Sequence, residues 1–140
     1  MRKFMAAAAA AGALLMIGAT ASTASAASAD WIPDPKPWNE SVAGAHGSGM
    51  MTGVWANGEG TITAKGKLTV TDPKACYTIA VGVGLPIGKP RHLEVWSKSP
   101  QKQCGPGTLE VTASVGPVAY FDGPWVTICK DGEESRACRR

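Results

Sequence analysis

Histidine is scarce in this 140-residue chain, which has only His46 and His92, and phenylalanine is almost absent, with Phe4 and Phe121 alone. Charge is thin too: 14 Lys+Arg stand against 11 Asp+Glu, a net charge of +3. Each scarcity removes a class of function. A nucleophilic hydrolase needs a serine or cysteine beside a base, yet two imidazoles are all the chain offers and no Gly-x-Ser-x-Gly turn frames a serine. His46 sits in a Gly-rich segment and His92 opposes Leu93 and Val95 on its strand, so both read as exposed, and no catalytic residue is expected. The weak positive charge cannot steer the chain onto nucleic acid or an anionic membrane. Successive cysteines stand 28, 25 and 9 residues apart, whereas a zinc site wants pairs two to four apart, so no metal is expected there. The glycines of Gly82 to Gly88, followed by Lys89 and Pro90, have the wrong spacing for a phosphate loop. Pro90 stands where a metal-binding hydroxyl belongs, and no cofactor is expected.

What is present begins with an export pattern. Met1-Arg2-Lys3, an apolar stretch from Phe4 to about Ala21 and the small residues Ala24-Ser25-Ala26 read as a secretory signal peptide over 1–26. A second Ala-Ser-Ala at 27–29 leaves cleavage after Ala26 or Ala29. The competing reading is a membrane anchor, but only Leu14 to Ile17 is strongly apolar and a span needs about 20 such residues. The mature chain of 114 residues is then one domain of net charge +1, secreted, extracellular and free of the membrane. All ten prolines and fifteen of the seventeen glycines fall within it, which argues against long helices.

Four cysteines in an exported chain of this size imply two disulfides. Three connectivities are possible. Sequence-local pairing, Cys76 with Cys104 and Cys129 with Cys138, best suits antiparallel strands joined by short loops. Loop-closure entropy alone makes these bridges worth about 3.6 and about 2.7 kcal/mol.

Residues 27–49 read as a Pro/Gly-rich extended arm, because Pro33, Pro35 and Pro37 each hold the backbone out of the helical region. Beyond it, residues 50–140 switch to a period of two. Ile62, Ala64, Leu68 and Val70 share one face of 61–71 while threonines and lysines share the other. Gly66 lies on the inner face and marks a bend, a bulge or a close backbone approach. Asn57-Gly58 tolerates the positive φ of a hairpin turn. Further strands follow through Tyr77, Ile79, Val81 and Val83, through Leu93 and Val95, through Leu109, Val111, Ala113 and Val115, and through Val126 and Ile128. The expected fold is an all-β antiparallel sandwich of about seven strands, immunoglobulin-like or a related Greek key.

Five tryptophans stand out against the missing phenylalanines. Trp96 and Trp125 fall out of phase with the aliphatic residues beside them, so alternation turns both outward. With Trp55 they form the candidate binding set, since flat indoles stack on sugars or anchor protein partners. The alternative is that a loop, the arm or a disulfide covers the rings. Trp31 and Trp38, flanking the prolines, either dock the arm or present it to a partner. A second candidate surface is the loop 97–103, where Lys98 or Lys102 suits the pocket of a trypsin-like protease. Asp122 and Asp131 precede glycines as turn residues. Asp131 with Glu133 and Glu134 offers at best a weak calcium site, and Asn39-Glu40-Ser41 fits the glycosylation pattern.

The alanine-rich signal, the Gly-x-x-x-Gly-Val-Trp stretch of Gly49 to Trp55 and the closing 126–132 segment with Cys138 resemble small secreted two-disulfide β-sandwich proteins of high-GC Gram-positive bacteria. In size and cysteine count the chain also resembles the secreted protease and amylase inhibitors of such bacteria. The first resemblance implies secretion, disulfides and a sandwich, and transfers no site. The expected role is a noncatalytic module that binds an extracellular protein or a cell-surface glycan. The alternative is a small protease inhibitor that uses the 97–103 loop.

Overall fold

The computed structural model describes residues 35–86, 92–119 and 121–139. The expected signal peptide over 1–26 and Trp31 lie outside the described residues. Among the described residues there are eight strands: β1 (Lys36–Val42), β2 (Ala45–Ala56), β3 (Glu59–Val70), β4 (Cys76–Pro86), β5 (His92–Lys98), β6 (Gln103–Cys104), β7 (Gly107–Val118) and β8 (Asp122–Lys130). They form two antiparallel sheets of four strands. The first runs β1-β2-β3-β7, and the second is built around β4, which pairs with β5, β6 and β8. The all-β sandwich read from alternation is thus the fold. The alternation pattern had marked neither β1 nor the two-residue β6.

The two sheets close over a shared core of Ile62, Ala64, Leu68 and Val70 from β3, Tyr77, Ile79, Val81 and Val83 from β4, and Val111, Ala113, Val115, Val126 and Ile128. Each of these residues occupies every second position of its strand, which is why period two alone identified them. Leu93 departs from that expectation. It is 48% exposed, because β5 is an edge strand and only Val95 reaches in against the core. The hairpin forms where expected: Asn57 and Gly58 adopt φ of 54° and 80° and join Ala56 to its partner Glu59.

The segment 27–49 is more than an arm. Residues 36–49 belong to the first sheet, with β1 pairing along β2 from Lys36↔Met51 to Val42↔Ala45, so the folded domain begins well before residue 50. Pro37 is tolerated because β1 is an edge strand. Trp38 holds the strand down: it is 5% exposed, and its Nε1 donates to the Lys65 carbonyl at 3.1 Å.

The indole needs bare backbone beneath it, and glycine supplies it. Gly49 pairs with Gly66 across β2 and β3. A Cβ on Gly47 would lie 3.0 Å from Trp38 Cζ3, and one on Gly66 would lie 2.6 Å from Trp38 Cζ2. Gly66 is therefore a site of close backbone approach, where such a Cβ would overlap the Ser48 carbonyl oxygen, with the aromatic ring from the edge strand beside it.

Both expected disulfides are present, Cys76–Cys104 and Cys129–Cys138. The first joins β4 directly to β6. The second folds the chain end back onto the outer face of β4, where Ala80, Cys129 and Cys138 form a small separate cluster with Trp96 and Ala137. At the same end of β4 as Cys76, the Tyr77 hydroxyl donates to the Ala43 carbonyl (2.9 Å) and to Asp72 Oδ2 (3.0 Å), linking the two sheets. Lys130 Nζ also reaches Asp72 Oδ2, at 3.4 Å.

Candidate functional site

The outer faces of the two sheets differ in chemistry. On the first, Thr63 bonds Ser114 and Thr69 bonds Thr108, each at 2.9 Å, on a face that also exposes Met50 and Val54. On the second, the pairing register sets two rows of three residues side by side. Gly82 of β4 pairs with Trp96 of β5 on one edge and with Trp125 of β8 on the other. Gly84 pairs with Glu94 of β5 and Asp122 of β8. A β-bulge in β8 between these pairs brings Asp122 to the same face as Trp125. Asp122 Cβ stands 3.6 Å from where a Gly84 side chain would begin.

Glycine in the middle strand lets both rings lie down. The fused six-membered ring of Trp96 covers Gly82 so closely that any Cβ there would overlap it. Trp125 rests on Gly123, with Cε3 and Cζ3 each 3.0 Å from a virtual Cβ, and its Cη2 reaches to 3.2 Å from that of Gly84. Trp125 is 45% exposed, whereas Trp96 is half-buried against the Cys129–Cys138 cluster. Trp96 Nε1 donates to Glu94 Oε2 at 3.2 Å, which orients both side chains. A cleft of about 310 Å³ lies beside Trp125, lined by Gly84, Glu94 and Asp122. A second depression of about 290 Å³ lies across Glu94, against Leu93, Trp96 and Arg136. The first is of the size that takes a small ligand.

The expected binding set is therefore divided. Trp96 and Trp125 share one outer face, and the expectation of outward rings holds for both, although the terminal disulfide supports one side of Trp96. Trp55 does not join them. It lies on the other sheet, on the inner face of β2, with Cε3 2.7 Å from a virtual Cβ on Gly60 and with Phe121 beside it.

The 97–103 loop is clamped onto the sheet. Thr78 Oγ1 donates to the carbonyls of Ser99 (3.2 Å) and Gln101 (2.6 Å), and Ser99 is buried. Lys98 Nζ donates to the Cys138 carbonyl at 2.8 Å, and Lys102 Nζ meets Asp131 Oδ2 at 2.9 Å. The closing carboxylates turn to separate partners: Asp131 to Lys102, Glu133 to the Lys130 amide and Glu134 to Arg139. Among the described residues, no three His, Cys, Asp or Glu side chains gather around a point that could hold a metal ion. His46 is exposed on the outward face of β2, and Asn39 is exposed on β1.

Among the described residues, two titratable groups depart from their ordinary values. The Lys74 amide, followed by the Tyr77 hydroxyl, holds the Asp72 carboxyl below the usual carboxylate range. Burial, followed by the bond to Asp72, pushes the Tyr77 phenol up. Both belong to the tie between the sheets and lie away from the tryptophan face.

Sequence reasoning missed the floor and the rim of this face. The signal for the floor was the alternation Val81-Gly82-Val83-Gly84, a strand with one face stripped of side chains. Asp122 read only as a turn residue, and Glu94 drew no notice. Comparison with protein-family models, with curated proteins and with solved structures finds no match to the chain.

Proposed function

We propose that this protein is a secreted, noncatalytic binding module that recognises an extracellular protein or a cell-surface glycan through the outer face of its second sheet. The observation that carries this reading is the placement of Trp96 and Trp125 on either side of Gly82, with both indoles laid flat on the sheet. Large rigid aromatics contribute much contact area at little entropic cost, and on a soluble surface they stand where partners dock. The two disulfides suit an oxidising compartment, as does the N-terminal export pattern.

The inhibitor reading has less support, since the ammonium groups of Lys98 and Lys102 are engaged by Cys138 and Asp131. Slowing of a trypsin-type protease by excess protein would revive it. The binding reading is tested by retention on culture-fluid proteins and on cell-wall polysaccharide. Retention by the natural protein, lost in Trp96→Ala/Trp125→Ala, is expected. Equal retention by both proteins would overturn the assignment of this face.

A further inference from the structure

We infer that the Cys76–Cys104 disulfide is a reducible latch: a dithiol reductant attacks Cys104, opens the bond and releases β6 from β4, while Cys129–Cys138 stays closed. The bond lies at the start of β4, apart from Gly82 and Gly84, so it needs nothing of the binding role proposed for the tryptophan face.

Access is the first argument. In thiol–disulfide exchange the attacking thiolate must reach a sulfur, and exposed disulfides are the labile ones. Cys76 precedes the inward-facing Tyr77 and so turns to the outer face of its sheet, where it stands directly opposite Cys104. Cys104 is exposed and Cys76 half-buried. Cys129 and Cys138, by contrast, are 2% and 6% exposed and packed with Ala80, Trp96 and Ala137. A reductant in solution therefore reaches the first bond and is kept from the second.

What the bond holds is the second argument. β6 pairs with β4 through two residues, Cys76↔Cys104 and Tyr77↔Gln103. Three residues after Cys104, Gly107 begins β7 in the other sheet. The disulfide thus pins the point where the chain crosses between the sheets. Without it, residues 102–106 are tied by the two-residue ladder, by the Gly105 amide on the Ala75 carbonyl at 3.1 Å and by the exposed Lys102–Asp131 ion pair, a weak restraint in water. Residues 99–101 keep their own clamp, since the Ser99 amide donates to the Ile79 carbonyl at 2.8 Å and Thr78 Oγ1 to the Ser99 and Gln101 carbonyls. Neither Cys76 nor Cys104 belongs to the shared core, so the opening stays local.

The exchange is balanced by the two thiols of the reductant. One attacks as thiolate at Cys104 Sγ, the Sγ–Sγ bond breaks, and its electron pair leaves on Cys76, which takes a proton. The second thiolate of the reductant then displaces Cys104, which takes a proton in turn. The protein gains two electrons and two protons, and the reductant ends as a disulfide.

The experiment uses the purified protein with both disulfides formed. Thioredoxin with its reductase and NADPH, and separately dithiothreitol, are the reductants; free thiols are alkylated at timed intervals and located by mass spectrometry. Cys76 and Cys104 are expected to become labelled at least about tenfold faster than Cys129 and Cys138. Tryptophan emission should hold steady during that first phase, because the cluster around Trp96 stays closed. Amide hydrogen exchange should rise at 102–106 and not along Thr78 to Val83. A thioredoxin whose second active-site cysteine is replaced by serine should be caught as a mixed disulfide on Cys104.

Loss of both bonds together, earlier loss of Cys129–Cys138, or resistance of both to the two reductants overturns the inference. So does unchanged exchange at 102–106, a shift of tryptophan emission in step with the first labelling, or capture on any cysteine but Cys104.

Discussion

Trp38 of β1 and Gly66 of β3 are in contact although β2 lies between their strands: a Cβ on Gly66 would come within 2.6 Å of Trp38 Cζ2. The indole crosses β2 where Gly47 and Gly49 leave the backbone bare, and it ends at the Lys65 carbonyl. The same pairing of indole with glycine recurs at Trp55 on Gly60, Trp96 on Gly82 and Trp125 on Gly123 and Gly84. These tryptophans and glycines are thus one feature, since each of the four described rings occupies space that a glycine vacates. Facing inward, the pairing builds core and fastens the edge strand. Facing outward, it lays down a flat aromatic surface.

Trp38→Ala should destabilise the domain by about 3–5 kcal/mol, the usual cost of deleting a buried aromatic. Gly66→Ala should cost about 1–3 kcal/mol, because its Cβ would overlap the Ser48 carbonyl oxygen as well as meet the ring at 2.6 Å. Because the ring accounts for part of that clash and the Ser48 carbonyl for the rest, the double variant should lose less than the sum by the ring's share alone, as a double-mutant cycle by urea unfolding would read. Strict additivity would contradict the packing described.

The outward rings should behave differently. Trp125→Ala removes a ring that is nearly half exposed and should change stability by less than about 1 kcal/mol. Urea midpoints of Trp125→Ala and Trp38→Ala, measured side by side, test this. Equal losses would show that Trp125 is a core residue.

Removing each disulfide by paired Cys→Ala substitution separates entropy from packing. Loop closure alone ranks Cys76–Cys104 above Cys129–Cys138, at about 3.6 against about 2.7 kcal/mol. Cys129 and Cys138, however, also pack with Ala80 and Trp96. Their loss should therefore exceed the entropic figure and be accompanied by a change in tryptophan emission. Thermal unfolding and fluorescence report the two effects separately, and an unchanged emission spectrum would count against the cluster.

Asp72 and Tyr77 predict a dependence on pH at both extremes. Asp72 has a lowered pKa in the folded chain, so its contribution is complete above the ordinary carboxylate range and is lost as pH falls through the folded value. Tyr77 has a raised pKa, so its contribution is complete below the ordinary phenol value and is lost as pH rises through the folded one. Urea midpoints from pH 7 downward should fall more steeply for the natural protein than for Asp72→Asn. Parallel curves would show that this carboxylate does not contribute to acid unfolding.

Much of the architecture was legible because alternation is a local signal. Ile62 to Val70, Tyr77 to Val83 and Val111 to Val115 each declare a buried face within one strand, and Asn57-Gly58 declares its turn with two residues. The sequence-local disulfides followed from the same antiparallel logic. The residues of β1 carry no such signal: KPWNESV shows no alternation of apolar residues, and Pro37 argues against a strand. Its place in the sheet depends on a groove made by Gly47, Gly49 and Gly66, which belong to other strands.

The sequence by itself determined that this is a disulfide-linked β protein, which strand faces are apolar, and that Trp96 and Trp125 point outward, because each of these follows from chemistry within a few consecutive residues. Only the tertiary structure decided that the two rings flank Gly82, that Glu94 and Asp122 flank Gly84, and that Trp55 faces the other way into the sandwich. Those relations depend on register between strands distant in the chain and on one bulge in β8, and a pairing register is selected by the packing of the whole sandwich.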